Sequence, residues 1–319
     1  MAGMLPETAG HHDRTLMARR QGTSAKKAGK EPAPPEKHDI RPGQSLELLQ
    51  ELHILTRDGK LNQDSRRKLK QINHLYQFIE PLLEDVRRAN RSITLVDHGA
   101  GKSYLGFILY DLYVRQNREA ECRIFGIETR DELVDKSRDL ARRLGFDAKS
   151  FLNLSVADAI HADAIPQQVD MVTALHACDT ATDDAIRFAL MKRARFVVLA
   201  PCCQAEVAAV LRRNKGKALA SSLAELWRRP LHTREFGSLV TNVLRCLQLE
   251  AHGYQVNVTE LVGWEHSLKN ELIMAEYKDL PRRKPAQRLN DLLRMLGVEE
   301  ELGSRFFTPP EERLIRNEP

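Results

Sequence analysis

Cysteine is scarce in this chain of 319 residues. The five present, Cys122, Cys178, Cys202, Cys203 and Cys246, are odd in number and form no CxxC pair. That argues against a disulfide framework and leaves a reducing cytoplasm as the expected compartment. No apolar run approaches the roughly 18–20 residues that a membrane helix needs. The N-terminus has no apolar core of a secretory signal, so no membrane partner is expected. Neither sign of charge dominates: 49 Lys and Arg face 44 Asp and Glu, for a net charge of +5. Such a mild excess permits an acidic partner such as nucleic acid without requiring one.

Four regions follow from composition and periodicity. Residues 1–44 carry eight Lys or Arg against five Asp or Glu and almost no periodic apolar pattern. They read as a disordered basic tail, either a weak RNA-binding arm or a solvated linker. Residues 45–90 read as helical, with Leu46, Leu49, Leu52 and Leu55 on one stripe and Leu69, Ile72, Leu75, Tyr76 and Ile79 on a second. Residues 91–277 alternate short apolar runs with amphipathic helices. Strands are expected at 93–97, 123–128, 151–156, 169–175 and 196–200, with helices near 103–116, 130–144, 158–164 and 181–193 between them. Such alternation implies an α/β, doubly wound parallel sheet. A closing strand pair, 254–262 and 271–277, makes it a Rossmann-like seven-stranded sheet of the methyltransferase type with an N-terminal helical extension. Residues 278–319 read as a basic C-terminal tail, helical near 286–296.

The first strand ends in Asp97-His-Gly99-Ala-Gly101-Lys-Ser103. Glycines at 99 and 101 allow a tight turn and close backbone approach to a ligand. The helix start beyond them offers unpaired N–H groups. A phosphate-binding P-loop needs glycine where Val96 stands, and a dinucleotide fingerprint needs its third glycine where Tyr104 stands. What remains is an acidic residue followed by G-x-G. A carboxylate there repels a pyrophosphate and favours the cationic methionyl group of S-adenosylmethionine. Glu128 ends the second strand, where it can accept both ribose hydroxyls. Asp158 follows the third and can reach the adenine amino group, although helix capping explains an Asp at that position equally well.

The fourth strand ends in His176-Ala-Cys178-Asp179-Thr-Ala-Thr182-Asp183, and the fifth in Pro201-Cys202-Cys203-Gln204. In an open α/β sheet both ends face the ligand crevice. These segments and the Asp97 loop resemble a methyltransferase family that includes eukaryotic tRNA ribose 2′-O-methyltransferases and related methyltransferase-domain proteins, over roughly residues 65–277. His176, Cys178 and Asp183 match the family's H-x-C-x-x-x-T/S-D pattern, and Cys202-Cys203 its cysteine pair. Asp179 stands where eukaryotic members usually have Gly, and Gln204 where the tRNA enzymes tend to have His. The zinc-finger modules of those enzymes are missing.

The resemblance implies a class I S-adenosylmethionine-dependent methyltransferase. Its expected cofactor contacts are Asp97, Gly99, Gly101, Glu128, Asp158 and His176. Its expected catalytic group is His176, Cys178, Asp179 and Cys202, with Asp179 and His176 as candidate bases. The cysteines and His176 also suit zinc. No metal is expected, however, because a strand or tight turn sends adjacent cysteine side chains apart. Plain packing of the cysteines under the cofactor is the third reading. The expected acceptor is a structured RNA, tRNA or rRNA. A small molecule or a protein is the alternative, as is a non-catalytic RNA-binding scaffold that retains the fold.

Overall fold

The computed structural model describes residues 40–90, 92–101, 104–175, 177–214, 222–261, 271–279 and 283–310. The fold below is that of the unit His38–Pro319. The expected N-terminal tail lies outside the described residues up to 39. Its last part packs: Ile40 rests on the core, and the Arg41 guanidinium lies 4.7 Å from the Tyr76 ring centre.

Two helices lead into the sheet, α1 (Leu46–Glu51) and α2 (Gln63–Asn90). Ser45 caps α1 by accepting the Leu48 N–H. The strands are β1 (Ser92–His98), β2 (Glu121–Glu128), β3 (Lys149–Asn153), β4 (Met171–Leu175), β5 (Phe196–Ala200), β6 (Tyr254–Glu260) and β7 (Glu271–Tyr277). Their order across the sheet is β3-β2-β1-β4-β5-β7-β6. The first five are parallel, while β7 runs antiparallel to both β5 and β6. The expected seven-stranded α/β sheet is therefore the fold. It reverses direction of growth at β1, so β1 and β4 flank the switch point where ligands bind.

Alternation along the strands sorts side chains onto two faces. On one face Ile93, Leu95, Ile124, Phe196 and Val198 pack with α1, α2, α3 (Tyr104–Leu109) and α4 (Asp131–Leu144). On the other Val96, Ile127, Val172, Val197 and Leu199 pack with α5 (Val156–His161) and α6 (Thr180–Met191). The helix after β1, expected as one piece, changes at Tyr110–Val114 to a π-helical turn, a widened turn that apolar periodicity does not signal. The third strand ends sooner than expected because Ser155 is needed as the cap of α5, accepting the Asp158 N–H.

A third core lies beyond the sheet. It joins α7 (Glu206–Arg213), Trp227, α8 (Pro230–Ala251), α9 (Arg283–Met295) and α10 (Glu299–Leu302). Leu289, Leu293, Leu296 and Phe306 are buried in it, so the segment expected as a C-terminal tail packs on α7 and α8. Gly237 lets those two helices approach closely, since a Cβ there would sit 2.7 Å from the Ala208 backbone. Among the described residues no helix is long and apolar enough to cross a membrane.

Candidate active site

A cavity of about 460 Å³ opens at the carboxyl ends of β1, β2 and β4. Gly99, Glu128, Arg130, Ser155, Cys178 and Asp184 are among its walls. The volume falls in the range of small-molecule sites, roughly 300–1,000 Å³. Gly99 and Gly101 both adopt left-handed backbone, φ +60° and +53°. At Gly99 a Cβ would meet that of Ala177 at 3.1 Å, so glycine serves both conformation and space.

Glu128 is buried and heavily bonded. Its carboxylate accepts Arg130 Nε at 2.9 Å and Nη2 at 3.0 Å, the Gly101 N–H at 2.9 Å, and the N–H groups of Thr129 and Arg130 at 3.0 and 3.1 Å. The Arg130 guanidinium, then these N–H groups, hold the carboxyl down at about 2. An ionised carboxylate facing the glycine turn suits a ribose diol. Arg130 occupies its oxygens here, but its side chain is 66% exposed and can turn out to water at little cost. Sequence reasoning passed over Arg130 and Asp184, since charged residues at the start of a helix or shortly after it are usually solvated.

The Asp97 side chain turns to the α3 face of the sheet and accepts Thr173 Oγ1 at 2.8 Å. It also attracts the buried Lys149 ammonium, which burial pushes down in pKa and which lies 4.0 Å from the Phe107 ring centre. Asp97 thus ties β1 to β4 and supports the turn from behind. Asp158 is exposed and accepts Ser155 Oγ at 2.6 Å, the capping arrangement rather than an adenine contact. His176 lies outside the described residues, as do Lys102 and Ser103. His98, which the sequence did not single out, is buried beside the cavity against Phe188. Burial holds its imidazole at about 3, hence neutral.

Asp179, expected as a base, is largely a staple. Its Oδ1 accepts the N–H groups of Ala205 and Glu206, at 2.8 and 3.2 Å, and so caps α7. Its own N–H donates to Cys203 O at 2.6 Å. Its backbone is left-handed, φ +52° and ψ −121°, a conformation glycine adopts freely. That is the physical content of glycine being usual there in the family this chain resembles. Asp179→Ala should lose the cap and keep the strain, lowering stability by about 1–2 kcal/mol in urea unfolding. Asp179→Gly loses the cap but sheds strain of about 1–3 kcal/mol, and should be the more stable of the two. The reverse order would show that the strain is not there.

The staple draws the two loops together. Cys178 Sγ lies 3.6 Å from Cys202 Sγ, which lies 3.6 Å from Cys203 Sγ. All three sulfurs fall within 4.8 Å of one another. The adjacent cysteines therefore do not diverge as expected, because Cys202 and Cys203 sit in the irregular loop after β5 rather than in a strand. Behind them, Arg245 is fully buried. It donates Nε and Nη2 to the Asp183 carboxylate at 2.6 and 2.9 Å, Nη2 to Asp179 O at 2.9 Å, and Nη1 to Asn242 Oδ1 at 3.1 Å. Asn242 in turn donates to Glu271 at 2.5 Å. Asn242 and Glu271 line a second cavity of about 430 Å³, together with Pro201, Gln204, Glu235 and Glu260.

Residues 67–210 match the family model described as a methyltransferase domain. The glutathione S-transferase C-terminal domain-containing protein of Bos taurus is 22% identical over 246 residues, covering 69% of this chain and 35% of that protein. The protein of the same name from Xenopus laevis is 24% identical over 147 residues, covering 46% and 21%. The chain thus spans about a third or less of the length of these relatives. Among solved structures, magnesium protoporphyrin IX methyltransferase from Synechocystis PCC 6803 with bound SAM has a TM-score of 0.39 at 11% identity, covering 73% of this chain and 90% of that one, a likeness too distant to bear on the site. The stretch that matches the methyltransferase-domain model holds β1 to β5 and the Glu128 cavity.

Proposed function

We propose that this chain is an active S-adenosylmethionine-dependent methyltransferase whose acceptor is a structured RNA. The observation that carries the catalytic reading is the convergence of the Gly99–Gly101 turn and the ionised Glu128 on one cavity at the switch point of the sheet. The cofactor supplies an activated methyl group on sulfur. The chain's own work is to hold Glu128 ionised, to keep the loops after β4 and β5 in place and to position the acceptor, so orientation dominates the rate. A scaffold without activity has no need of a buried carboxylate maintained in this way.

Support for RNA is electrostatic. Arg212 and Arg213 are exposed in the last turn of α7, the helix that follows Cys202 and Cys203, and Arg229, Arg283 and Lys284 are exposed as well. A second reading rests on the second cavity, whose three glutamates favour a cationic group such as an amine on a small molecule or protein. Transfer of labelled methyl from S-adenosylmethionine to total RNA, total protein and small-molecule extract separates the readings, with label in RNA as the expected result. Phosphate-driven binding should weaken with salt at a log–log slope of about −0.7 to −0.9 per neutralised phosphate, and Arg212→Glu/Arg213→Glu should flatten it. Label in protein or small molecules, with a flat salt response, would remove RNA as the acceptor.

A further inference from the structure

We infer that Cys178, Cys202 and Cys203 form a binding site for a single thiophilic cation of the zinc type, held by three thiolates with a fourth position open. The inference stands apart from the identity of the acceptor. Tetrahedral coordination at about 2.3 Å from each sulfur places ligand sulfurs about 3.8 Å apart. Two of the three pairs here are at 3.6 Å, and the third lies within 4.8 Å. A movement of at most about an ångström in the Cys178–Cys203 pair completes the geometry.

Chemistry points the same way. Three thiolates so close repel one another. A soft divalent cation removes that repulsion. Binding releases three S–H protons to solvent, forms three metal–sulfur bonds and leaves a cluster of net charge −1, with no oxidant or reductant needed.

The scaffold is rigid where such a site requires it. The Asp179 N–H holds the Cys203 carbonyl, the Asp179 carboxylate holds the start of α7, and the buried Arg245 holds the Asp179 carbonyl. Asp179 follows Cys178 directly, so one staple fixes both loops. The position is also where an ion has consequences. Cys178 lines the cofactor cavity, while Pro201 and Gln204, on either side of Cys202 and Cys203, line the second. The open fourth position is available to water or to an acceptor atom.

The test uses the full chain, stripped with a chelator and titrated with Co²⁺ as a spectroscopic stand-in. One Co²⁺ per chain should bind, with near-ultraviolet thiolate-to-cobalt charge-transfer absorption that Zn²⁺ abolishes. Losing an outer partner of a metal site costs roughly 10–100-fold in affinity. Cys178→Ala, Cys202→Ala and Cys203→Ala remove ligands and should each lose at least that much, while Cys122→Ala should lose nothing. A measurement on unaltered protein guards against misfolded variants: Zn²⁺ should shield these three cysteines from iodoacetamide, read by peptide mass spectrometry. Absence of the charge-transfer band, its persistence in Cys202→Ala, or unchanged alkylation with Zn²⁺ present would each overturn the site.

Discussion

Arg245→Met should lower folding stability by about 3–5 kcal/mol, because it strands the Asp183 carboxylate in the core without its partner. Arg245 is 0% exposed and its guanidinium makes four hydrogen bonds, two to Asp183 and one each to Asp179 O and Asn242. A domain's whole margin is about 5–15 kcal/mol, so this one change consumes about a fifth or more of it. The expected loss comes mainly from the orphaned charge rather than from the intrinsic worth of the pair. Arg245→Met/Asp183→Leu removes both charges and should therefore recover much of it. Urea unfolding of the single and double variants checks this. A cost below about 1 kcal/mol in the single variant, or a double variant no better than the single, would contradict the account.

Glu128→Ala should weaken binding of S-adenosylhomocysteine by about 2 kcal/mol or more, since each hydrogen bond from a hydroxyl to a charged carboxylate contributes roughly 1.5–3 kcal/mol. That is a loss of about 30-fold or more. The pH dependence follows from the depressed carboxyl. Its folded pKa, about 2, lies below the ordinary 4.5, so its contribution to stability is fully present above 4.5 and is lost as pH falls through about 2. Cofactor affinity should consequently show no Glu128 titration between about pH 5 and 8. Calorimetry on wild type and Glu128→Ala across that range measures both effects. Equal affinities would remove Glu128 from the cofactor site.

The sheet was legible because buried parallel strands are short apolar runs bounded by polar turns. Phe196–Ala200 and Glu271–Tyr277 coincide with the expected strands, residue for residue. Glu128 was legible for a similar reason: an acidic residue at the end of an apolar strand is costly to bury unless a turn or a ligand uses its charge. Asp97 carries the same signal, yet its side chain faces the other way. Its partners, Thr173 and Lys149, come from strands far along the chain, and only the register of β1 with β4 brings Thr173 to it. The cysteines show the same limit. Their types and loops could be read, but their convergence depends on a staple from Asp179 and on Arg245, which sits 66 residues further on in α8. The C-terminal helix was visible as a helical stretch near 286–296, against Arg283–Met295 in the structure. Its burial was not, because the surface it covers belongs to α7 and α8.

The central claim is that the cavity between the Gly99–Gly101 turn and Glu128 is an S-adenosylmethionine site. Titration calorimetry of the full chain with S-adenosylhomocysteine, ATP and NAD in turn tests it most directly. The account predicts saturable 1:1 binding of S-adenosylhomocysteine, with no comparable heat from the two phosphate-bearing ligands, because Val96 and Tyr104 stand where a P-loop and a dinucleotide turn need glycine. Binding of ATP or NAD in its place, or no binding of S-adenosylhomocysteine at all, would contradict it.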